Sequence, residues 1–131
     1  MDERAPLDSN IEKAATFRRI VASFRYSMQG LRRLWREAAF RQEVYAFVIG
    51  LAVFGAVGAT FADYLVFVVL MLILFAVEAL NTAIEELVDR ISPEISIVGR
   101  HAKDLGSFAV FCLLCVNGLF ALYVVVKSVW N

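Results

Sequence analysis

The sequence predicts an all-α membrane protein: one basic amphipathic helix at the membrane interface, then three transmembrane helices. Three observations carry that prediction. Hydrophobic residues make up 60% of the 131-residue chain, well above the apolar share of a soluble domain. Three apolar runs are each long enough to cross a hydrocarbon core of about 30 Å. The charges sum to zero but are segregated: nine of the thirteen Lys and Arg lie between Arg4 and Arg41, three more are Arg90, Arg100 and Lys103, and only Lys127 lies elsewhere.

Residues 1–10 are polar, contain Pro6 and are expected to form a flexible lead-in. Residues 11–36 read as the interfacial helix. Phe17, Ile20, Val21, Phe24, Met28, Leu31 and Trp35 step by three and four and gather within about 100° of arc, with Arg18, Arg25, Arg32, Arg33 and Arg36 on an adjoining flank. The apolar face suits the acyl boundary, and the arginines suit headgroup phosphates or those of a ligand. The plainer alternative is an anchor and topology signal with no ligand.

The first span, 44–61, is uncharged. Its glycines Gly50, Gly55 and Gly58 are expected to permit close helix packing. The second, 64–89, begins with the uncharged run Tyr64 to Val77 and ends in an acidic stretch. The third, 108–126, has Asn117 as its one strongly polar member. Between the second and third lies "SPEISIVGRHAKDLGS", read as a loop over 92–106 in which Pro93 stops the preceding helix and Gly99 and Gly106 allow turns. The first apolar run lies too far into the chain for a cleavable signal peptide. The link between the first two spans carries only Asp63, whereas the connection from the second to the third carries Arg90, Arg100 and Lys103. The positive-inside rule therefore predicts a cytoplasmic N-terminus and loop and a C-terminus on the far side.

The acidic stretch is "VEALNTAIEELVDRI", Val77 to Ile91. On a helix, Glu78, Asn81, Glu85 and Asp89 fall within about 80° of arc, with Glu86 at the edge. Intramembrane carboxylates are costly unless paired or functional. An isolated chain is expected to present Glu78, Asn81 and Glu85 to lipid, so self-association should cover them. Lys103 has the right sign to neutralise a nucleotide phosphate near that stripe. No Gly-Lys-Ser/Thr sequence supports a P-loop. Cys112 and Cys115 lie in an apolar span where no thiolate is stabilised, and His101 reads as a solvated surface residue. No nucleic-acid partner is expected.

Three segments, "REAAFRQE" at Arg36 to Glu43, "VEALNTAIEELVDRI" and "GRHAKDLGS" at Gly99 to Ser107, resemble in order and spacing the signatures of the prokaryotic diacylglycerol kinases. The resemblance runs from about Phe17 to the C-terminus. It implies a homotrimer in the bacterial inner membrane, with the C-terminus periplasmic and active sites shared between subunits. Each site would transfer the γ-phosphate of ATP to the hydroxyl of diacylglycerol, with Mg2+ as cofactor.

By that likeness Glu78 is the general base, and Glu37 and Glu85 hold magnesium with the nucleotide. Asn81 and Lys103 assist the transfer. Arg19, Tyr26, Glu94, Lys103 and Asp104 contact ATP, and Arg32, Trp35, Ala39, Phe40, Arg41, Gln42, Glu43, Glu78 and Ser107 line the lipid site. Physical reasoning agrees for the carboxylates. Glu78 is about ten ångströms of helix deeper than Glu85, where a lipid hydroxyl sits, and magnesium needs only one or two carboxylates besides phosphate oxygens.

The chain departs from the family pattern twice. The Trp35 to Glu37 spacing is one residue short, which on a continuous helix turns everything upstream by about 100° unless a kink near Gly30 or Trp35 absorbs it. His101 stands where arginine is more usual. Two other readings share these residues: an undecaprenol kinase on the same scaffold, and a small oligomeric ion channel with the stripe as a cation ring. The channel leaves Glu37 and Lys103 unexplained.

Overall fold

The computed structural model describes residues 5–92, 94 and 96–131, with side chains from residue 10 onward. Four helices make up the described chain: α1 (Ala5–Leu34), α2 (Ala38–Val57), α3 (Phe61–Ile91) and α4 (Ile97–Trp130). They fall into two units, residues 1–36 and 37–131.

In the first unit α1 begins at Ala5, inside the expected lead-in, and ends at Leu34. Phe17, Ile20, Val21, Phe24 and Leu31 are all exposed, as the apolar face of an interfacial helix would be. Trp35 and Arg36 form a turn, and Glu37 is extended, at φ −77° and ψ 127°. The helical path is thus interrupted between α1 and α2.

In the second unit, local chemistry fixes each helix end. Gly58 closes α2 in the left-handed region, at φ 72° and ψ 42°, and its N–H donates to the Phe54 carbonyl. That conformation costs a side-chain-bearing residue roughly 1–2 kcal/mol, so Gly58 is a cap rather than a packing glycine. The packing role belongs to Gly50: a Cβ there would fall 2.9 Å from Phe67 Cε1. Thr60 and Asp63 then open α3 with a reciprocal capping box, Thr60 N donating to Asp63 Oδ2 at 2.9 Å and Asp63 N to Thr60 Oγ1 at 3.2 Å.

The expected 92–106 loop is much shorter in the structure. Ser96 accepts from Gly99 N at 2.9 Å and starts α4 at Ile97. Gly99 and Gly106 are helical and face α3, where a Cβ would meet Val88 and Asn81 respectively. Both were expected as turn residues; they serve close helix packing instead. The stop assigned to Pro93 lies outside the described residues.

The core is Phe54, Phe67, Met71, Leu74, Val110 and Val124. Phe54 and Phe67 pack at a tilt of 40° with ring centroids 4.8 Å apart, and Phe54 meets Tyr64 edge-on at 5.7 Å. Leu119, Leu122, Val129 and many other large apolar side chains point outward. Such a surface belongs in a bilayer, and α2, α3 and α4 are each long and apolar enough to cross one. With 31 and 34 residues, α3 and α4 measure about 46 and 51 Å. They exceed a hydrocarbon core of about 30 Å, so the hairpin they form has room to carry a polar end beyond the apolar layer.

Candidate active site

That polar end is assembled from α2, α3 and α4. On α2 the periodicity that buries Phe40 also buries Glu43, three residues on. Phe40 and Phe47, one turn to either side of Glu43, both pack edge-on against Phe75 of α3, with centroids 5.2 and 6.0 Å apart. Phe75 lies three residues before Glu78. The aromatic joint brings Glu43 near enough to Glu78 for the two to interact electrostatically, and each is only 5% exposed. Glu43 Oε2 has no hydrogen-bond partner among the described residues.

Glu78 interacts electrostatically with three other carboxylates, Glu43, Glu85 and Glu37. Glu85 and Glu37 are half-buried. Glu37 sits at the start of α2 and makes no side-chain capping hydrogen bond. Asn81, 8% exposed, lies one turn from each of Glu78 and Glu85, and its Nδ2 donates to Glu85 Oε1 at 3.2 Å. Glu78 and Asn81 are therefore buried within a single chain. The expectation that an isolated chain presents them to lipid is corrected, because three helices converge on the stripe.

Lys103 Nζ donates to Asp89 Oδ1 in an ion pair that joins α4 to α3. The lysine also interacts electrostatically with Glu85. Asp89, Lys103, Asp104 and Glu94 line a cavity of about 260 Å³ at the α3–α4 turn, together with Ser92, Ser96 and Arg100. Here the structure gathers three of the residues expected at the nucleotide, Glu94, Lys103 and Asp104. The lipid-side set divides: Phe40 and Glu43 turn inward, Arg41 is half-buried, and Ala39, Gln42 and Ser107 are exposed. Arg19, Tyr26 and Arg32 belong to α1, where the Arg25 guanidinium lies 5.9 Å from the Tyr26 ring, and Trp35 stands in the turn that follows it.

Among the described residues no group of three or more His, Cys, Asp or Glu side chains could hold a metal ion. The carboxylate cluster nonetheless suits a hard dication shared with a ligand. Glu85 and Glu37 each repel Glu78, and magnesium takes one or two protein carboxylates and completes its shell with phosphate oxygens and water.

Two features escaped sequence reasoning. Asp89 was seen in the stripe but not as the partner of Lys103, since their pairing depends on the α3–α4 register. Gly106 was read as a turn, yet it lies directly against Asn81.

Fold and site together define a helical membrane protein with a buried acidic centre at one end of its bundle. A sequence model of the prokaryotic diacylglycerol kinases matches residues 25–125. A diacylglycerol kinase of a Sinorhizobium species is 52% identical over 88% of this chain and 85% of its own length. Those of Escherichia coli K12 and Haemophilus influenzae are 37% and 36% identical over 76% of this chain, and 83% and 86% of their own lengths. The chain belongs to the prokaryotic diacylglycerol kinase family and is a bacterial membrane enzyme of the kinase class.

Proposed function

We propose that the protein transfers the γ-phosphate of Mg·ATP to the free hydroxyl of sn-1,2-diacylglycerol, giving phosphatidic acid and ADP. The observation that carries this reading is the buried carboxylate Glu78 at the apolar edge of the cluster, with Glu85 and Lys103 on the side facing the polar end of the α3–α4 hairpin.

In this reading Glu78 accepts the hydroxyl proton as the substrate oxygen bonds to the γ-phosphorus and the bond from that phosphorus to the bridging oxygen of ADP breaks. Proton removal by a positioned carboxylate contributes about 10²- to 10⁴-fold. Glu37 and Glu85 are the residues that would hold magnesium, which when bound neutralises charge on the phosphates. Asn81 orients Glu85, and Lys103 offsets charge on the transferring group. Asp104 and Glu94 border the nucleotide, with Arg19 and Tyr26 contributed by α1. Phe40, Glu43 and Arg41, with Ala39, Gln42, Arg32, Trp35 and Ser107, border the lipid.

We further propose that α1 lies at the cytoplasmic interface of the inner membrane, that the α3–α4 turn is cytoplasmic and the C-terminus periplasmic, and that the active assembly is a homotrimer with shared sites. The charge pattern supports the orientation. Lys127, the one basic residue near the far end, is ion-paired with Asp63 at 2.7 Å, and every other Lys and Arg lies within residues 4–41 or 90–103.

The test is phosphate transfer from labelled ATP to diacylglycerol and undecaprenol in mixed micelles. Labelled phosphatidic acid as the main product is expected. Preferential labelling of the polyprenol, or no labelled lipid, overturns the proposal.

A further inference from the structure

Asn81 and Gly106 meet as one step of a regular seam between α3 and α4. Val88 faces Gly99, Asn81 faces Gly106, and Asn117 Nδ2 donates to the Leu70 carbonyl at 3.3 Å. From one meeting to the next, the positions shift by seven and then eleven residues along each helix, in opposite directions. Seven- and eleven-residue steps return to nearly the same helix face. The three contacts therefore describe a single antiparallel register, and that register brings a glycine to Asn81.

The geometry shows what the glycine does. A Cβ on Gly106 would overlap Asn81 Oδ1 and stand 3.2 Å from Asn81 Cγ, but it would lie at an ordinary 3.8 Å from Asn81 Cβ. The collision is confined to the end of the side chain, so alanine at 106 turns the carboxamide and leaves the helices in place. That carboxamide is poised between two neighbours. Its Nδ2 donates to Glu85 Oε1, and its Oδ1 is buried against Gly106 with no hydrogen-bond partner among the described residues. Turned the other way, Oδ1 would meet the Glu85 carboxylate, acceptor against acceptor.

We infer that Gly106 is a positioning residue: by presenting no side chain to Asn81 it holds the Asn81 amide on Glu85, and through Asn81 it fixes the orientation of the Glu85 carboxylate. The catalytic consequence rests on the kinase reading above; the orientation of the amide does not. Sequence alone hides this role because nothing in "KDLGS" distinguishes a packing glycine from a turn glycine.

A double-mutant cycle of Gly106→Ala and Asn81→Ala in full-length protein in mixed micelles tests the inference, with helix content followed by circular dichroism. Gly106→Ala is expected to lower turnover about tenfold to a hundredfold, the scale of a small misplacement at an active site. It should also raise the magnesium concentration needed for half-maximal rate. With Asn81→Ala already present, the same substitution should cost less than about twofold, because it acts only through Asn81. Equal losses in both backgrounds, or a loss with unmoved magnesium dependence, overturn the role. The Asn81 side-chain amide signals of ¹⁵N-labelled protein, identified by their disappearance in Asn81→Ala, give a reading free of activity. They should shift in Gly106→Ala, and unchanged signals overturn the inference whether or not the protein phosphorylates lipid. Shifted signals in a protein whose wild type phosphorylates no lipid overturn the kinase reading alone.

Discussion

Glu43 and Glu78 oppose each other across the joint between α2 and α3, both nearly inaccessible and each in the other's electrostatic field. Two buried carboxylates placed together oppose folding, and Glu43 Oε2 lacks any hydrogen-bond partner among the described residues to offset that cost. Strain of this kind is retained where function needs it. Glu43→Gln should therefore raise stability by about 1 kcal/mol or more, since a neutral amide of the same shape removes the like charge. The midpoint of thermal inactivation in detergent measures this. A lower midpoint would show that the carboxylate is compensated in a way this geometry does not contain.

Glu37 and Glu85 should behave as a unit. If both hold the same magnesium, Glu37→Gln and Glu85→Gln each abolish most activity, and the double variant is scarcely worse than the poorer single one. Residual turnover in either should need more magnesium. Initial rates across a magnesium titration decide it: additive losses with an unchanged requirement would remove the shared ion.

At the opposite end of the α3–α4 hairpin, Lys127 Nζ donates to both Asp63 carboxylate oxygens, at 2.7 and 2.9 Å, and lies 5.4 Å from the Tyr123 ring centroid. Asp63 also belongs to the cap of α3. Asp63→Ala removes both contacts and should lower the inactivation midpoint while leaving turnover per folded molecule unchanged. Loss of turnover with an unmoved midpoint would mean that this end takes part in the reaction.

The four helices and the acidic stripe were legible because each depends on residues close together in the chain: three apolar runs, an arginine-flanked amphipathic pattern, and carboxylates three, four and seven residues apart. Helix ends were less legible. Ser96 capping α4 competes with the reading of Gly99 and Gly106 as turn residues, and the structure resolves it through contacts with Val88 and Asn81 that lie on another helix. Long-range pairs were the least legible. Neither Lys103 with Asp89 nor Lys127 with Asp63 leaves a local sequence signal, since each depends on the register of α4 against α3. The burial of Glu78 within one chain was missed for the same reason: helical spacing gives a stripe, not what covers it.

Shared sites in the proposed homotrimer make a separate prediction. Inactive Glu78→Gln subunits mixed with inactive Lys103→Ala subunits should regain part of the wild-type rate if one site draws these two residues from different chains. Cross-linking of differently tagged subunits verifies co-assembly. Co-assembled mixtures that stay inactive would place both residues in the same subunit's site.

The central claim is that Glu78 removes the proton from the lipid hydroxyl, and Glu78→Gln tests it most directly when turnover and ATP affinity are measured together on the same preparation. Turnover should fall by about two to four orders of magnitude, the weight of a positioned general base, while ATP binds as it does to the wild type. A variant that keeps its maximal rate but loses affinity for ATP would contradict the assignment.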